Sequence, residues 1–225
     1  MPFPPERTVR GVLFDLDGTL LDTAPDMATA LNALRVDEGL APLPFEKIRG
    51  EVSHGSKAMI KTGFGKNLAD DQAEALRQRF LGHYTETLCR DTKLFPGMER
   101  VLETLEKAGM SWGVVTNKPT FLTQPLLRAL HINQRCCCIV SGDTLPRRKP
   151  YPDPLIHAAA QCGLAPAQCV YIGDAERDIA SGRAAGMTTA VACWGYIGAD
   201  DHPEIWGADH LLHKPADVLV WLRSI

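Results

Sequence analysis

The sequence lacks several features that would place it in common functional classes. It has no apolar run long enough to cross a bilayer, no apolar leader near Met1, and no repeat or low-complexity tract. Lys and Arg total 24 against 27 Asp and Glu, a formal net charge of -3, so no overall basic field attracts nucleic acid. We therefore expect a cytoplasmic protein that has neither a membrane nor a nucleic acid as its partner.

Cysteine is present, but not in the spacing of a metal or redox motif. The seven cysteines are an odd number and form no C-x-x-C pair. This pattern favours free, mostly buried thiols in a reducing compartment. Three of the cysteines, residues 136–138, open an apolar run, and we predict that they belong to a strand of small hydrophobic residues rather than to a metal site.

The length and hydrophobic content fit one α/β core with a modest insertion. The chain has 225 residues, of which 45% are hydrophobic. Apolar runs predict strands near residues 9–14, 111–116, 137–141, 170–172 and 189–192. Helical spacing predicts helices near residues 98–107, 121–130, 154–161, 178–185 and 216–222. This alternation indicates a mainly parallel sheet with helices on both faces and ligands at the carboxyl ends of the strands.

The segment from residue 23 to about residue 91 breaks the strand and helix alternation. Apolar residues at helical spacing predict helices there at residues 25–38, at 45–49, after Ser53, and at 70–88. We interpret the segment as an inserted helical cap. The predicted organisation is a core made of residues 1–22 and 93–225 and a cap made of residues 23–92. Residues 1–5 are expected to fray, and residues 196–207 to form an irregular loop.

The most informative motif is Asp-Leu-Asp-Gly-Thr at residues 15–19, directly after the apolar run 9–14. One carboxylate of such a pair can attack phosphorus while the other moves a proton, and Gly18 permits a tight turn after them. The motif therefore predicts a phosphoryl-transfer site with Asp15 and Asp17 as its reactive groups. The simpler alternative is a strand that ends in a solvated Asp-Gly turn.

Three later segments carry polar groups where further strands are predicted to end. Thr116 and Asn117 follow one apolar strand, Lys149 precedes a proline in a loop, and Asp174 follows a third strand with Asp178 four residues later. Hydroxyl, amide and ammonium groups can hold phosphoryl oxygens, and clustered carboxylates suit Mg²⁺. Because parallel strands end at one edge of a sheet, we expect these groups to meet Asp15.

Each of these segments also has a purely structural interpretation. A Thr-Asn pair or a Gly-Asp pair at a strand end is typical of a turn or a helix cap. Lys118, next to Asn117, could simply be a solvated surface cation. Arg147 and Arg148 are interpreted as exposed surface residues. The order of the segments along the chain is what favours a common site.

Together the four segments resemble the haloacid dehalogenase superfamily, in its phosphatase branch. The motifs of that superfamily correspond in order to Asp15 with Asp17, Thr116, Lys149, and Asp174 with Asp178. The resemblance implies an enzyme with a Rossmann-like three-layer core, a small α-helical cap and a covalent aspartyl-phosphate intermediate. In the mechanism that we expect, Asp15 attacks phosphorus, and Asp17 protonates the leaving oxygen and later activates water.

We expect Mg²⁺ to be held by Asp15, the backbone carbonyl of Asp17 and Asp174, with Asp178 orienting a metal-bound water. Some relatives carry an additional acid where Ala175 stands here, so more of the ligation falls on Asp174 and Asp178. The phosphate itself is predicted to be bound by Gly18, Thr19, Thr116, Asn117 and Lys149.

Substrate choice is expected to depend on the cap. Asp17 indicates a phosphate ester, because an alkoxide needs a proton to leave whereas a halide does not. In the cap, Arg49, His54 and Lys57 could meet a second anionic group, and Gly55 would let the backbone approach a ligand. The alternative is a helix entry capped by Ser53 and flanked by solvated cations.

Two groups of phosphatases resemble the chain more closely, and both act on a small phosphorylated metabolite. Residues 116–119 and 194–196 look like those of phosphoglycolate phosphatases. Residues 94–98, 112–119 and 206–209 also look like those of phosphatases that act on N-acetylmuramic acid 6-phosphate. A sugar phosphomutase with the same first motif is a further alternative.

Two other classes are disfavoured. Asp17 argues against a phosphorylated signalling receiver, since a proton-shuttling neighbour would shorten the lifetime of the phosphorylated state. Retention of all the chemical groups argues against a catalytically silent binding protein.

Overall fold

A computed structural model describes residues 8–225, and the predicted fraying of residues 1–5 lies outside them. Six parallel strands form one sheet in the order β5-β4-β1-β6-β7-β8. A separate antiparallel pair, β2-β3, lies beside it. The strands are β1 (Gly11–Phe14), β2 (Leu21–Asp22), β3 (Lys93–Leu94), β4 (Ser111–Val115), β5 (Ile139–Val140), β6 (Cys169–Gly173), β7 (Thr188–Ala192) and β8 (His210–Leu212).

The helices fall into a group between β2 and β3 and a group that alternates with the sheet strands. The first group is α1 (Ala24–Asp37), α2 (Phe45–Arg49), α3 (Ser56–Phe64) and α4 (Asp70–Thr87). The second is α5 (Met98–Lys107), α6 (Thr120–Ala129), α7 (Asp153–Gln161), α8 (Glu176–Ala184) and α9 (Asp217–Trp221). Short 3-10 helices span Pro166–Gln168 and Pro203–Ile205. The prediction of a parallel α/β sheet is confirmed.

The central strand β1 is apolar throughout because both of its faces are covered. Val12 and Phe14 belong to one hydrophobic cluster, which includes residues of α5, and Leu13 belongs to a second cluster, which includes residues of α7. Side chains of a strand alternate between its faces, so helices pack on both sides of the sheet. β1 lies between β4 and β6 in parallel register, which brings the carboxyl ends of these three strands together.

The helices α1 to α4, residues 24–87, form a unit that we call the helical segment. Within it, α1 packs against α4, α3 packs against α4, and α2 packs against α1. The two connections to the sheet are held side by side because β2 pairs with β3, with Leu21 opposite Leu94 and Asp22 opposite Lys93. The buried carboxylate of Asp26 accepts hydrogen bonds from the backbone N–H groups of Asp91 and Thr92.

The strand predicted at residues 137–141 is shorter in the structure. β5 comprises Ile139 and Val140 alone, and residues 136–138 precede it. β2, β3 and β8 were not predicted from the sequence. β2 and β3 have two residues each and β8 has three, so they are too short to show a hydrophobic periodicity in the sequence. They are strands because they pair with a neighbouring strand.

The prediction of free, mostly buried cysteines is wrong for part of the set. Cys137 and Cys162 form a disulfide, with their Cα atoms 5.4 Å apart and a sequence separation of 25 residues. Among the five free cysteines only Cys138 and Cys169 are buried. The pair forms because α7 packs back against β5, and spacing along the chain gives no sign of this. No helix among residues 8–225 is long and apolar enough to span a membrane.

Candidate active site

The polar residues predicted from the four segments gather at the carboxyl edge of the sheet. Asp15 follows β1, Thr116 follows β4, and Asp174 follows β6. Lys149 lies in the loop between β5 and α7, and Asp178 lies in the first turn of α8. All five residues are buried. They meet because β1 is hydrogen-bonded to β4 on one side and to β6 on the other.

Lys149 is at the centre of this group and is fully buried. Its Nζ lies 2.8 Å from Asp15 Oδ1 and 2.7 Å from Asp178 Oδ1. The same Nζ donates to the Tyr171 hydroxyl at 2.7 Å and to the Val115 carbonyl at 3.0 Å. These oxygen partners fix the direction of the buried side chain. It places one positive charge between two carboxylates.

The side chain of Asn117 holds the backbone of Lys149 in place. Asn117 Nδ2 donates to the Lys149 carbonyl at 3.0 Å, and the Lys149 N–H donates to Asn117 Oδ1 at 3.1 Å. Both ends of the amide are therefore engaged by the protein. Thr116 is different, because its Oγ1 accepts from the Lys118 N–H at 3.1 Å and its hydroxyl hydrogen stays available as a donor.

Asp15, Asp174 and Asp178 form an acidic triad. Each offers a carboxylate oxygen, and these oxygens lie within 4.8 Å of one another. Burial raises the pKa of Asp15 from 3.8 to about 6 although Lys149 opposes the shift. Burial raises the pKa of Asp174 to about 7, and the charges of Asp15 and Asp178 add to this shift. Without a further cation, burial and mutual repulsion thus disfavour negative charge on Asp15 and Asp174.

A divalent cation fits this donor set. The triad offers carboxylate oxygens, which are hard donors suited to Mg²⁺ or Ca²⁺. Within reach of the three carboxylates the structure places two cations, Lys149 and Arg177, and the guanidinium of Arg177 is held protonated because the nearby carboxylates outweigh its burial and raise its pKa. A bound cation would neutralise the remaining charge and draw the pKa values of Asp15 and Asp174 down.

Gly18 and Thr19 lie against Asp174. The φ of Gly18 is +82°, and a Cβ at this position would collide with the Asp174 carboxylate, so only glycine fits the turn. Thr19 Oγ1 donates to Asp174 Oδ1 at 3.4 Å. The N–H groups of Gly18 and Thr19 donate to carbonyls of Leu21 and Leu16 within the turn. Their predicted role in binding phosphate stays a prediction.

Asp17 belongs to a second charged group that extends to the helical segment. Asp17 Oδ1 accepts from Lys118 Nζ at 2.9 Å and from Thr23 Oγ1 at 2.7 Å. Lys118 Nζ also donates to the hydroxyl of Tyr84, on α4, at 2.9 Å. Burial alone would lower the pKa of Lys118, but Asp17 and Tyr84 raise it above its ordinary value. The interpretation of Lys118 as a solvated cation is wrong, because its side chain is only 4% exposed.

Several residues of the site were not found from the sequence. Ser53 was considered as a helix cap, but its hydroxyl donates to Asp174 Oδ2 at 2.6 Å, and its carbonyl accepts from Arg177. Tyr196 donates its N–H to the same Asp174 oxygen at 2.9 Å. Residues 194–196 were singled out only for their resemblance to phosphoglycolate phosphatases, and no contact with Asp174 was predicted for them. Nothing in the local sequence around Ser53 or Arg177 indicates a contact with a distant segment.

The predicted substrate residues of the helical segment lie in different surroundings. Arg49 donates to the carbonyls of Gly195 and Trp194 and lies over the ring of Tyr196. His54 is exposed, with its Nε2 3.6 Å from Asp201 Oδ2. Lys57 is exposed, and Gly55 precedes α3 with a φ of 83°. A polar cavity of about 200 Å³ beside Asp174 is lined by Ser53, His54, Asp174, Ala175, Glu176, Arg177, Tyr196 and Asp201.

Of the four, only His54 lines this cavity. Arg49 is committed to backbone carbonyls, so its guanidinium fastens the helical segment to the loop after β7. Substrate contacts of these residues remain predictions.

A parallel sheet with an aspartate pair after its central strand and a buried lysine and acidic triad at the same edge defines a class of hydrolases. The family model of the haloacid dehalogenase-like hydrolases matches residues 12–192, a span that includes each of these groups. The chain belongs to the haloacid dehalogenase-like hydrolase family, and it is an enzyme of the phosphatase type.

Particular relatives are similar over nearly the whole chain. A phosphoglycolate phosphatase of Xanthomonas campestris is 48% identical over 209 residues, covering 93% of this chain and 94% of the relative. An N-acetylmuramic acid 6-phosphate phosphatase of Pseudomonas aeruginosa is 42% identical over 211 residues, covering 94% of this chain and 93% of the relative. A crystal structure from Haemophilus somnus, described as a predicted phosphoglycolate phosphatase, superposes with a TM-score of 0.84 at 28% identity and covers 96% of this chain and 99% of that one.

Proposed function

We propose that the chain is a Mg²⁺-dependent phosphomonoester hydrolase that forms an aspartyl phosphate on Asp15 and acts on a small metabolite of the phosphoglycolate kind. The observation that supports this most directly is the position of the Lys149 ammonium, 2.8 Å from Asp15 Oδ1 and 2.7 Å from Asp178 Oδ1. A fixed cation beside a carboxylate nucleophile lessens its repulsion from an anionic phosphate. In this proposal residues 23–92 form the cap and the remaining residues form the catalytic core.

Asp15 is the proposed nucleophile, and its two oxygens have different surroundings. Oδ1 accepts from Lys149 Nζ and from the Leu16 N–H at 2.7 Å. These contacts fix the carboxylate and leave Oδ2 to attack phosphorus in line with the leaving oxygen. We assign the free hydroxyl hydrogen of Thr116 as a donor to the phosphoryl oxygens and the positive charge of Lys149 as their electrostatic partner, with Gly18, Thr19 and Asn117 adjoining them.

Asp17 is the proposed acid and base. Its Oδ1 is held by Lys118 and Thr23, and its Oδ2 carries the proton that passes to the leaving oxygen as the ester bond breaks. In the second half of the reaction the same Oδ2 takes a proton from water while the water oxygen attacks phosphorus. The aspartyl phosphate is then hydrolysed, and both carboxylates return to their starting state.

The metal would be held by the carboxylates of Asp15 and Asp174 and by the backbone carbonyl of Asp17. A bound Mg²⁺ supplies positive charge that offsets the repulsion between nucleophile and phosphate. The oxygens of Asp174 accept from neutral groups of Thr19, Ser53 and Tyr196. Asp178 Oδ1 instead already pairs with the Lys149 ammonium, and its Oδ2 accepts from the Ala175 N–H at 3.1 Å. This supports the role of Asp178 as a residue that orients the site rather than a direct ligand.

The relatives with a named substrate favour a small phosphorylated metabolite. Phosphoglycolate phosphatases among the relatives reach 48% identity, which favours this class. The second candidate is N-acetylmuramic acid 6-phosphate, favoured by a relative of that name at 42% identity.

Phosphatase activity is tested with p-nitrophenyl phosphate. We expect hydrolysis in Mg²⁺, none in EDTA, and a loss of turnover of about 10⁴-fold or more for Asp15→Asn. Asp71→Asn, an exposed acid on α4, is the matched control and should retain full activity. Unchanged turnover in Asp15→Asn would contradict the assignment of the nucleophile.

The substrate is tested by ranking kcat/KM for phosphoglycolate, N-acetylmuramic acid 6-phosphate and hexose phosphates. We expect phosphoglycolate to rank first. A first rank for N-acetylmuramic acid 6-phosphate would select the second candidate. Interconversion of hexose phosphates without release of inorganic phosphate would replace both with a phosphomutase.

A further inference from the structure

Tyr84 is a residue of the helical segment whose hydroxyl reaches the charged groups of the core. It lies on α4 and is 1% exposed, with its ring stacked on that of Phe80 at 6.3 Å between centroids. Its hydroxyl oxygen accepts from Lys118 Nζ at 2.9 Å, and the same Nζ lies 4.5 Å from the centre of the Tyr84 ring. Lys118 therefore uses both the oxygen and the π face of one side chain.

Lys118 connects this tyrosine to the carboxylate that we propose as the acid and base. Its Nζ lies 2.9 Å from Asp17 Oδ1, and Thr23 Oγ1 donates to the same oxygen at 2.7 Å. Among the described residues, no donor lies on Asp17 Oδ2. Two donors on one oxygen fix the rotation of the carboxylate and leave Oδ2 open.

The lysine cannot hold Asp17 in this way without a second partner. Its stem is long and flexible, and a second buried carboxylate cluster lies at the same edge of the sheet. The Tyr84 hydroxyl satisfies a second N–H of the ammonium at 2.9 Å and so fixes its direction toward Asp17. Without that oxygen, a buried ammonium N–H would be unsatisfied and the ammonium would turn.

We propose that Tyr84 is a positioning residue for proton transfer by Asp17: it holds the Lys118 ammonium against Oδ1 and thereby directs Oδ2 to the leaving oxygen. The inference rests on the proposed phosphatase mechanism. The proton moves from Asp17 Oδ2 to the leaving oxygen as its bond to phosphorus breaks and the bond from Asp15 to phosphorus forms. Because Tyr84 belongs to α4, the acid is correctly oriented only when the helical segment is packed on the core.

The test compares two monoesters that differ in their need for a proton. A p-nitrophenolate leaves without protonation, whereas the alkoxide of glycerol 3-phosphate or phosphoglycolate does not. kcat/KM reports steps up to departure of the leaving group, so the later hydrolysis of the aspartyl phosphate does not enter. For Tyr84→Phe we expect kcat/KM to fall by about 10- to 100-fold on the alkyl ester and by less than about 3-fold on p-nitrophenyl phosphate.

Two variants calibrate this result. Asp17→Asn should show the same preference for the good leaving group with a larger loss. Phe80→Leu perturbs the packing of α4 next to Tyr84 without touching Lys118, so its losses on the two esters should be equal. Equal losses on both esters for Tyr84→Phe, with a selective loss in Asp17→Asn, would overturn the role of Tyr84 and leave the proposed function intact.

A double-mutant cycle separates positioning from folding. If Tyr84 acts through Lys118, adding Tyr84→Phe to Lys118→Met should change the ratio of kcat/KM between the two esters by less than about 2-fold. Independent multiplication of the two losses would reject the proposal. If the unaltered protein releases phosphate from neither ester, or if Asp17→Asn does not discriminate between them, the proposed function fails and this inference fails with it.

Discussion

Two lysines, Lys118 and Lys149, are buried among residues 8–225, and they differ in which parts of the protein surround them. Lys149 contacts groups of the sheet and of α8 and none of the helical segment, namely Asp15 after β1, Val115 on β4, Tyr171 on β6 and Asp178 on α8. Lys118 also starts at the edge of the sheet, but it reaches Tyr84 on the helical segment as well as Asp17. One cation is fixed by the core, and the other depends on how the helical segment packs.

The two surroundings also differ in charge balance. Asp15, Asp174 and Asp178 outnumber the cations beside them, and burial together with mutual repulsion raises the pKa of Asp174 to about 7. Around Lys118 one ammonium faces one carboxylate, with Thr23 and Tyr84 as neutral partners. The first region therefore needs a further cation, whereas the second is complete within the protein.

Loss of Lys149 should have the largest effect. In Lys149→Met the buried carboxylates of Asp15 and Asp178 lose their shared cation, which should lower the free energy of unfolding by about 3–5 kcal/mol. Turnover should fall by about 1000-fold or more. Urea denaturation and p-nitrophenyl phosphate hydrolysis measure the two effects. Arg148→Met, at an exposed cation next in sequence, is the control, and equal behaviour of the two variants would refute the comparison.

Loss of Lys118 should have a smaller effect on stability. In Lys118→Met the carboxylate of Asp17 keeps Thr23 as a donor and is partly exposed, so the free energy of unfolding should fall by about 1.5–3 kcal/mol. Urea denaturation measures this loss. A loss as large as that of Lys149→Met would show that the two lysines are equally essential to the fold.

Mg²⁺ should stabilise the protein in a way that depends on pH. The folded-state pKa values of Asp15 and Asp174 are raised from 3.8 to about 6 and about 7. Between pH 3.8 and the raised folded-state pKa values, the folded protein keeps protons that the unfolded chain releases. The free energy of unfolding of the metal-free protein therefore falls as pH rises from about 4 to about 7. Bound Mg²⁺ should therefore raise Tm by several degrees near pH 8 and little near pH 5.

Melting curves in EDTA and in Mg²⁺ at both pH values measure this effect. Asp174→Asn should abolish most of the difference, whereas Lys118→Met should preserve it because Lys118 lies in the balanced region. An Mg²⁺ shift of the same size at both pH values would contradict the assignment of the acidic triad as the metal site.

Loss of the Thr23 hydroxyl should have the smallest effect. Thr23→Val removes one hydrogen bond to Asp17 Oδ1 and keeps the volume of the side chain, so the free energy of unfolding should fall by about 1 kcal/mol. kcat/KM on an alkyl phosphate should fall a few-fold. A loss in kcat/KM greater than that of Lys118→Met would make Thr23, and not Lys118, the main support of Asp17.

The sequence was most informative where groups follow strands directly. Asp15, Thr116 and Asp174 were predicted to meet because parallel strands end at one edge, and the order β4-β1-β6 brings them there. Helix α5 was predicted at its observed bounds, because Met98, Val101, Leu102 and Leu105 mark one apolar face.

The sequence was least informative about contacts between distant segments. Lys118 and Tyr84 are 34 residues apart, and Ser53 and Asp174 are 121 residues apart, so neither contact leaves a local pattern. The Cys137–Cys162 disulfide has the same origin. Arg49 was predicted to meet a substrate anion, but its guanidinium donates to the backbone carbonyls of Trp194 and Gly195. Because every residue has a backbone carbonyl, the sequence does not indicate which carbonyls accept from a side chain.

The short ribbon β2-β3 has an evolutionary consequence. Because Leu21 lies opposite Leu94 and Asp22 opposite Lys93, the chain leaves the sheet and returns to it at adjacent points. An inserted segment whose two ends are adjacent can be lengthened, shortened or exchanged without displacing the strands on either side of it. Enzymes of this architecture can thus acquire new specificities through changes in the inserted segment while the residues at the edge of the sheet stay the same.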